Sequence, residues 1–456
     1  MSLRLAALLS LTVLAACAPA PRAELAQRQV TYTGELPPMR SFGAPQVTRP
    51  VRSNASIARD FLDLSFALES GRTLPVLTRF ERPVTIRAVG PATPALSQDL
   101  DRLVARLRRE AGIDIRRVAA TEDAAITVQT VSRRDLQGAV PQAACFVVPR
   151  LGSWAEFKRN RRSAAMDWTT LKTRERMAVF IPADVAPQEV RDCLHEEVAQ
   201  ALGPLNDLYS LTDSVYNDDN FHTVLTGFDM LILRATYAPE LRSGMTRDQV
   251  AARLPAILAR LNPEGENGAD PTRAPTPRDW IDQIEIALGP SAPSARRRAA
   301  AERAVAISRP WNDNRSAFAL FALGRLSLAS DPELALAAFL KAGAIYGADP
   351  DTRLQAAHVA MQLAAFTLST DQPEATIEIV DANIAPVVQA ENAALLASLM
   401  LIKAEALDIL GRSAEARVVR RESLGWARYG FGTDDEVRRR AGEIAALNPL
   451  YRKAKT

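Results

Sequence analysis

The residues best placed for chemistry lie in one run, Cys193-Leu194-His195-Glu196-Glu197-Val198-Ala199-Gln200-Ala201-Leu202-Gly203-Pro204-Leu205-Asn206-Asp207. A histidine followed by glutamate is half of the zinc motif H-E-x-x-H. There, two imidazoles one helical turn apart reach one ion, and the glutamate serves as general base. The second imidazole position is Ala199, so this register holds no zinc. A frame moved by one residue fits better. Gly203 then matches the glycine of H-E-x-x-H-x-x-G-x-x-H, where the chain turns back with a third ligand. The ligand positions fall on Glu196, Gln200 and Asn206, and the general base on Glu197. The result, E-E-x-x-Q-x-x-G-x-x-N-D ending at Asp207, is a zinc-helix frame with all three histidines replaced. At about 100° per residue, Val190, Leu194, Val198 and Ala201 form an apolar stripe. Cys193, Glu196 and Gln200 share the neighbouring face, and Glu197 falls between the two. His195 points roughly 140° from Gln200, which predicts a surface or packing role for it.

A second polar group follows at Asp218, Asp219 and His222. With Glu196, Glu197 and Asp207 it offers oxygens and one imidazole, a set suited to calcium or magnesium rather than zinc. Asn/Asp-rich stretches more commonly form loops and caps, so no metal is expected. No G-x-S-x-G elbow, Walker loop or G-x-G-x-x-G fingerprint occurs, and no cofactor is expected. His358 falls in a helical stretch, where packing is its expected role.

The elements that must position these groups alternate between helix and strand from about Ile57 to Thr246. Val84-Thr85-Ile86-Arg87-Ala88, Ala125-Ile126-Thr127-Val128, Cys145-Phe146-Val147-Val148 and Ala178-Val179-Phe180-Ile181-Pro182 read as strands. Leu100, Leu103, Val104 and Leu107 mark an amphipathic helix, and Pro187 to Gly203 is the helix of interest. Downstream come Asn217-Asp218-Asp219-Asn220-Phe221-His222, then Leu225-Thr226-Gly227-Phe228-Asp229-Met230-Leu231-Ile232-Leu233-Arg234 and Tyr237-Ala238-Pro239-Glu240-Leu241-Arg242-Ser243-Gly244-Met245. Together with the Glu-Glu-x-x-Gln helix, these segments resemble an uncharacterised bacterial family, domain of unknown function 2927. The resemblance spans roughly Ile57 to Met245. It implies an α+β, zincin-like fold that has lost its zinc ligands, and little chemistry.

The N-terminus carries a different signal. Arg4, an apolar run from Leu5 to Leu14, and small residues before Cys17 describe a secretory signal, too short for the roughly 20 apolar residues of a membrane span. Leu14-Ala15-Ala16-Cys17 resembles the bacterial lipobox, which makes Cys17 the expected lipidation site. Ala18, where an Asp would retain the protein in the inner membrane, points to the outer membrane. With Cys17 lipidated, Cys145 and Cys193 are an even pair in an oxidising compartment, either bridged or two buried free thiols.

The expected organisation is a signal peptide at 1–16, a flexible tether at 17–55, the degenerate zincin-like domain at 56–246, a helix and Pro/Gly-rich linker at 247–295, and helical repeats at 296–456. A chain of 456 residues exceeds one ordinary core, and 47% hydrophobic with 24% charged residues describes a globular chain. A net charge of +3 is too small and dispersed to argue for nucleic acid. In the last part Ala335, Ala375 and Ala416 recur after similar turns, with Phe339 and Ala342 following the first and Ile379 and Ala382 the second. This resembles tetratricopeptide-type helix pairs, with a period longer than their usual 34 or so. A lipid-anchored, non-catalytic envelope protein binding a peptide or protein partner is the leading expectation. A metal-dependent hydrolase with a non-standard Glu/Gln/Asn site and a purely structural scaffold are the alternatives.

Overall fold

The computed structural model describes residues 34–43, 48–50, 52–91, 93–268 and 274–450. Cys17, the signal segment and much of the tether lie outside the described residues.

The first part is mixed α/β. Helices α1 (Asn54–Ser65), α2 (Pro94–Arg109), α3 (Arg133–Ala139), α4 (Trp154–Asn160), α5 (Pro187–Leu202), α6 (Gly227–Thr236), α7 (Arg247–Ala251) and α8 (Leu254–Leu261) surround a five-stranded sheet. Its strands are β1 (Val84–Val89), β2 (Ile115–Arg117), β3 (Ile126–Val131), β4 (Phe146–Pro149) and β5 (Met177–Pro182), in the order β2-β1-β3-β5-β4. Four strands run parallel, and β4 pairs antiparallel with β5 at one edge. A parallel sheet must be covered on both faces, and β5 shows how its sequence does this. All six of its residues are buried. Met177, Val179 and Ile181 enter the large core with α5 residues Leu194, Val198 and Leu202. Ala178 and Phe180 turn the other way, onto Leu136 of α3 and Trp154 and Phe157 of α4. The period of two in a strand makes that division.

The second part is all helical: α9 (Arg278–Leu288), α10 (Ser294–Ser308), α11 (Asn314–Ser327), α12 (Pro332–Gly347), α13 (Arg353–Ser369), α14 (Pro373–Gln389), α15 (Ala393–Ile409), α16 (Ser413–Gly430) and α17 (Asp434–Ala445). Asp371, Glu391 and Gly411 adopt positive φ at successive turns, a 20-residue beat and so 40 per helix pair. The expected register of the second pair is off by one. Ala335, Phe339, Ala342 and Ala416 are fully buried, but Ala375 and Ile379 are half-buried and Ala382 is exposed. Thr376 and Val380 take the buried positions instead.

The two parts are joined closely. Gln188 of α5 donates to Asn392 (3.1 Å) and accepts from the Ala394 N–H (2.9 Å). Gln355 donates to the Thr212 carbonyl, and Phe221 packs among Phe318, Phe321, Tyr346 and His358. Residues 34–43, within the stretch expected to be a tether, lie along α16. Arg40 donates its N–H to the Gly425 carbonyl (2.9 Å) and pairs with Glu422, while Phe42 stacks on Trp426 at 4.5 Å. This docking buries the apolar side chain of Phe42 and half-buries that of Leu36, which a polar linker could not offer.

Candidate functional site

Helix α5 is held at both ends. Pro187 starts it, where its missing N–H costs nothing. At the other end the last carbonyls would be left without partners. Buried Arg174 donates to the carbonyls of Gln200 and Gly203, and the Tyr237 hydroxyl donates to that of Leu202 (3.0 Å). Burial lowers the Arg174 guanidinium to about 10, which still leaves it charged against the negative helix end. Gly203 does not adopt left-handed backbone; its φ is −160°. A Cβ there would meet the Thr236 side chain at 3.4 Å, an ordinary contact, so packing does not demand glycine.

The first half of α5 faces the helical region with its charges balanced. Arg191, 4% exposed, donates to the Glu391 carbonyl (2.7 Å), pairs with the Glu391 carboxylate (3.3 Å) and lies 5.4 Å from the Tyr429 ring. Tyr429 in turn donates to Asp99 (2.8 Å). Burial alone would lower the guanidinium, but Asp192 and its other neighbours raise it overall.

The second half carries an acidic cluster. Glu197 is 4% exposed, Glu196 and Asp207 are half-buried, and Glu69 and Asp218 reach the surface. One oxygen of Glu196, one of Glu197 and the Cys145 sulfur all lie within 4.8 Å of one another. Glu69 belongs to the turn after α1, yet its carboxyl points inward: it accepts from the buried Gln200 amide (3.4 Å) and from Asp207. Tyr209 donates to Asp218 (3.3 Å). Desolvation first, then repulsion from neighbouring carboxylates, raises all five. Glu196 reaches about 8, held there by burial and by Asp218, Glu69 and Asp192. Glu197 and Asp207 are also raised well above the ordinary carboxylate value, and Glu69 and Asp218 rise as well, Asp218 through burial and Glu285. Neutral Asp207 donates its proton to Glu69. Among the described residues none of the five is ion-paired. The nearby Arg278 is paired with Asp282 and Glu285 and gives Glu69 only a long hydrogen bond to its carbonyl.

Cys145 and Cys193 are joined by a disulfide, with their Cα atoms 5.9 Å apart. The bridge ties the start of β4 to the middle of α5 and leaves no thiolate for a metal. Just past β4, the Arg150 N–H donates to the Arg176 carbonyl at the start of β5 (2.7 Å), so by strand alternation Val147 and Pro149 present their backbones outward. The Val147 N–H faces the Glu197 carboxylate and favours its charged form. Pro149 has no N–H.

The remaining sequence candidates separate. Asn206 donates to the Asp63 carbonyl (3.0 Å), turning toward α1. Asp219 accepts from the Phe221 N–H (3.1 Å) and Asn217 (2.9 Å), a loop-forming role, and burial raises it to about 8. His222 is lowered by burial and donates to the Thr212 backbone, on the side of His358 rather than the acidic cluster. His195 is buried and neutral; its Nδ1 accepts from the Leu225 N–H (3.2 Å). Sequence reasoning missed Glu69, Tyr209 and Glu285, whose charge raises both Glu69 and Asp218. Glu69 lies 131 residues from Gln200, and no local spacing announces it.

A mixed α/β domain with a small sheet and a polar site helix is thus the class that fold and site define. Residues 54–256 match the model of a family described as a protein of unknown function (DUF2927). No curated protein and no solved structure matches the chain.

Proposed function

We propose that this chain is a non-catalytic, lipid-anchored protein of the bacterial cell envelope, most simply the outer membrane. Its zincin-like domain and tetratricopeptide-like helix pairs hold a peptide or protein partner. The observation that carries the non-catalytic reading is the divergence of the three ligand positions. A zinc site needs three side chains converging on one ion. Here Gln200 turns to Glu69, Asn206 turns away to the Asp63 carbonyl, and no imidazole replaces either.

The zincin-like reading draws support from the antiparallel edge strand β4 beside α5. In that class an extended peptide lies along such an edge. Here the Val147 N–H is turned to Glu197 and Pro149 has none to give, so main-chain pairing is curtailed. Recognition then falls to side chains and to the helix pairs. Lipidation at Cys17 rests on the lipobox; no helix among the described residues is long and apolar enough to cross a membrane.

The test is co-purification from detergent-solubilised membranes of cells carrying the wild-type chain, Cys17→Ser, or Glu69→Gln with Asp218→Asn. Cys17→Ser is expected to leave the membrane fraction, and the charge variant to lose a partner that the wild type retains. Peptidase activity in the metal-loaded protein that disappears in Glu197→Gln would defeat the non-catalytic reading.

A further inference from the structure

The acidic cluster of α5 has more negative groups than its surroundings need. Caps, turns and ion pairs account for most carboxylates in this protein. Asp229 closes the α6 capping box and Asp99 meets Tyr429, for example. Glu197 has only the Val147 N–H as a partner. It is almost fully buried, and its Oε2 has no hydrogen-bond partner among the described residues. Its carboxylate lies beside that of Glu196 rather than beside a cation. Asp207 repeats the feature, with a buried Oδ1 that is also unpartnered. A buried polar atom left unpaired is costly, and a charged one more so.

We infer that Glu196, Glu197 and Asp207, with Glu69 and Asp218 at the rim, form a site for a hard divalent cation of the calcium class. The donor set decides the class. Cys145 is disulfide-bonded, so the only anionic donors at hand are oxygens, which select hard ions over zinc or copper. Geometry decides within that class: calcium accepts an irregular, flexible set of carboxylate oxygens, whereas magnesium demands a near-octahedral one. The Glu196 and Glu197 oxygens lie close enough together to reach one ion. Glu69 and Asp218 are exposed, so the entry path from solvent is lined by carboxylates. Tyr209 and Gln200 hold the rim groups in place. The site stands whether or not a peptide partner exists, since none of its geometry depends on one.

The experiment is calorimetric titration of the EDTA-stripped full chain with calcium chloride, and in parallel with magnesium and zinc chlorides. Each titration is matched by a thermal unfolding scan. Calcium is expected to bind saturably with a Kd at or below about 1 mM, the range of extracellular calcium modules, and to raise the unfolding midpoint. Glu197→Gln and Asp207→Asn keep the side-chain shape and are each expected to weaken binding by about tenfold or more. Should either fail to fold in the cation-free scan, Glu69→Gln at the exposed rim carries the same test. No saturable calcium binding, an affinity unchanged in every folded variant, or binding of zinc alone would each overturn the inference. Calcium titration of the purified chain needs no partner, and partner loss with calcium binding intact, or the reverse, tells the two readings apart.

Discussion

The two halves of helix α5 handle buried charge in opposite ways. Toward its start, Arg191 is enclosed by Glu391, Asp99, Asp192 and Tyr429, so a cation and carboxylates meet there, although Arg191 Nε and Glu391 Oε1 are buried without hydrogen-bond partners. Toward its end, Glu196 and Glu197 are enclosed by further carboxylates and no cation. Both halves are buried, so burial is not the difference. The first half sets a cation among its carboxylates and fastens the sheet domain to the helix pairs. The second sets like charges together with no cation among the described residues, an arrangement that marks a candidate site.

That contrast can be broken at the joint first. Arg191→Met leaves Glu391 and Asp99 without their cation, and breaking a buried pair from one side costs about 3–5 kcal/mol. Chemical denaturation should show this loss. A loss within the range of a surface pair, below about 1 kcal/mol, would mean that the joint is not balanced as described. The disulfide lies between the two halves. Replacing Cys145 and Cys193 together by Ser opens a loop of 48 residues, with an expected loss of roughly 2–4 kcal/mol. The same loss should appear in wild type on reduction and be absent from the double variant. Asn206→Ala removes one hydrogen bond to the Asp63 carbonyl, worth about 1 kcal/mol. Calcium affinity should not change, since Asn206 stands outside the cluster.

One variant should instead gain stability. A carboxyl whose pKa rises on folding stabilises the fold fully below its unfolded value, near 4.5 for Glu196, and that contribution is lost as pH climbs through the folded value of about 8. In EDTA, wild-type unfolding temperature should therefore fall between these limits. Glu196→Gln should reduce the slope and leave the variant more stable than wild type above pH 8. An unchanged slope would show that Glu196 ionises in the fold as it does in water.

How legible this arrangement was in the sequence differs between the regions for physical reasons. Four of the five strands were visible because β-branched and aromatic runs have few other readings, whereas three-residue β2 carries two arginines and was missed; the site helix, expected over Pro187–Gly203, spans Pro187–Leu202. The shifted zinc frame led to Glu196, Glu197 and Gln200, because helix periodicity places them on or beside one face, and its continuation past Gly203 reached Asp207 in the following loop. It misplaced Asn206, since the frame says nothing of where the chain goes after the helix. Asp219 and His222 were grouped with the cluster by proximity in sequence, but loop hydrogen bonds send them elsewhere. In the helix pairs, α14 mixes apolar residues around most of its surface, so no contrast phased it and the register slipped by one.

The segment at residues 34–43 has a consequence for the order in which the molecule can be completed. Arg40 meets Glu422 across 382 residues. During synthesis the segment emerges before everything it will touch, and its partner surface is among the last to form. Closing so long a loop is unfavourable in chain entropy, though only logarithmically so. The sheet domain has most of its own contacts within residues 52–268 and need not wait. Docking of Leu36, Arg40 and Phe42 on α16 is therefore a late event that reports a finished C-terminal region. A chain cut short before α16 would carry a folded sheet domain and an undocked leading segment, a difference that proteolysis near Arg40 would register.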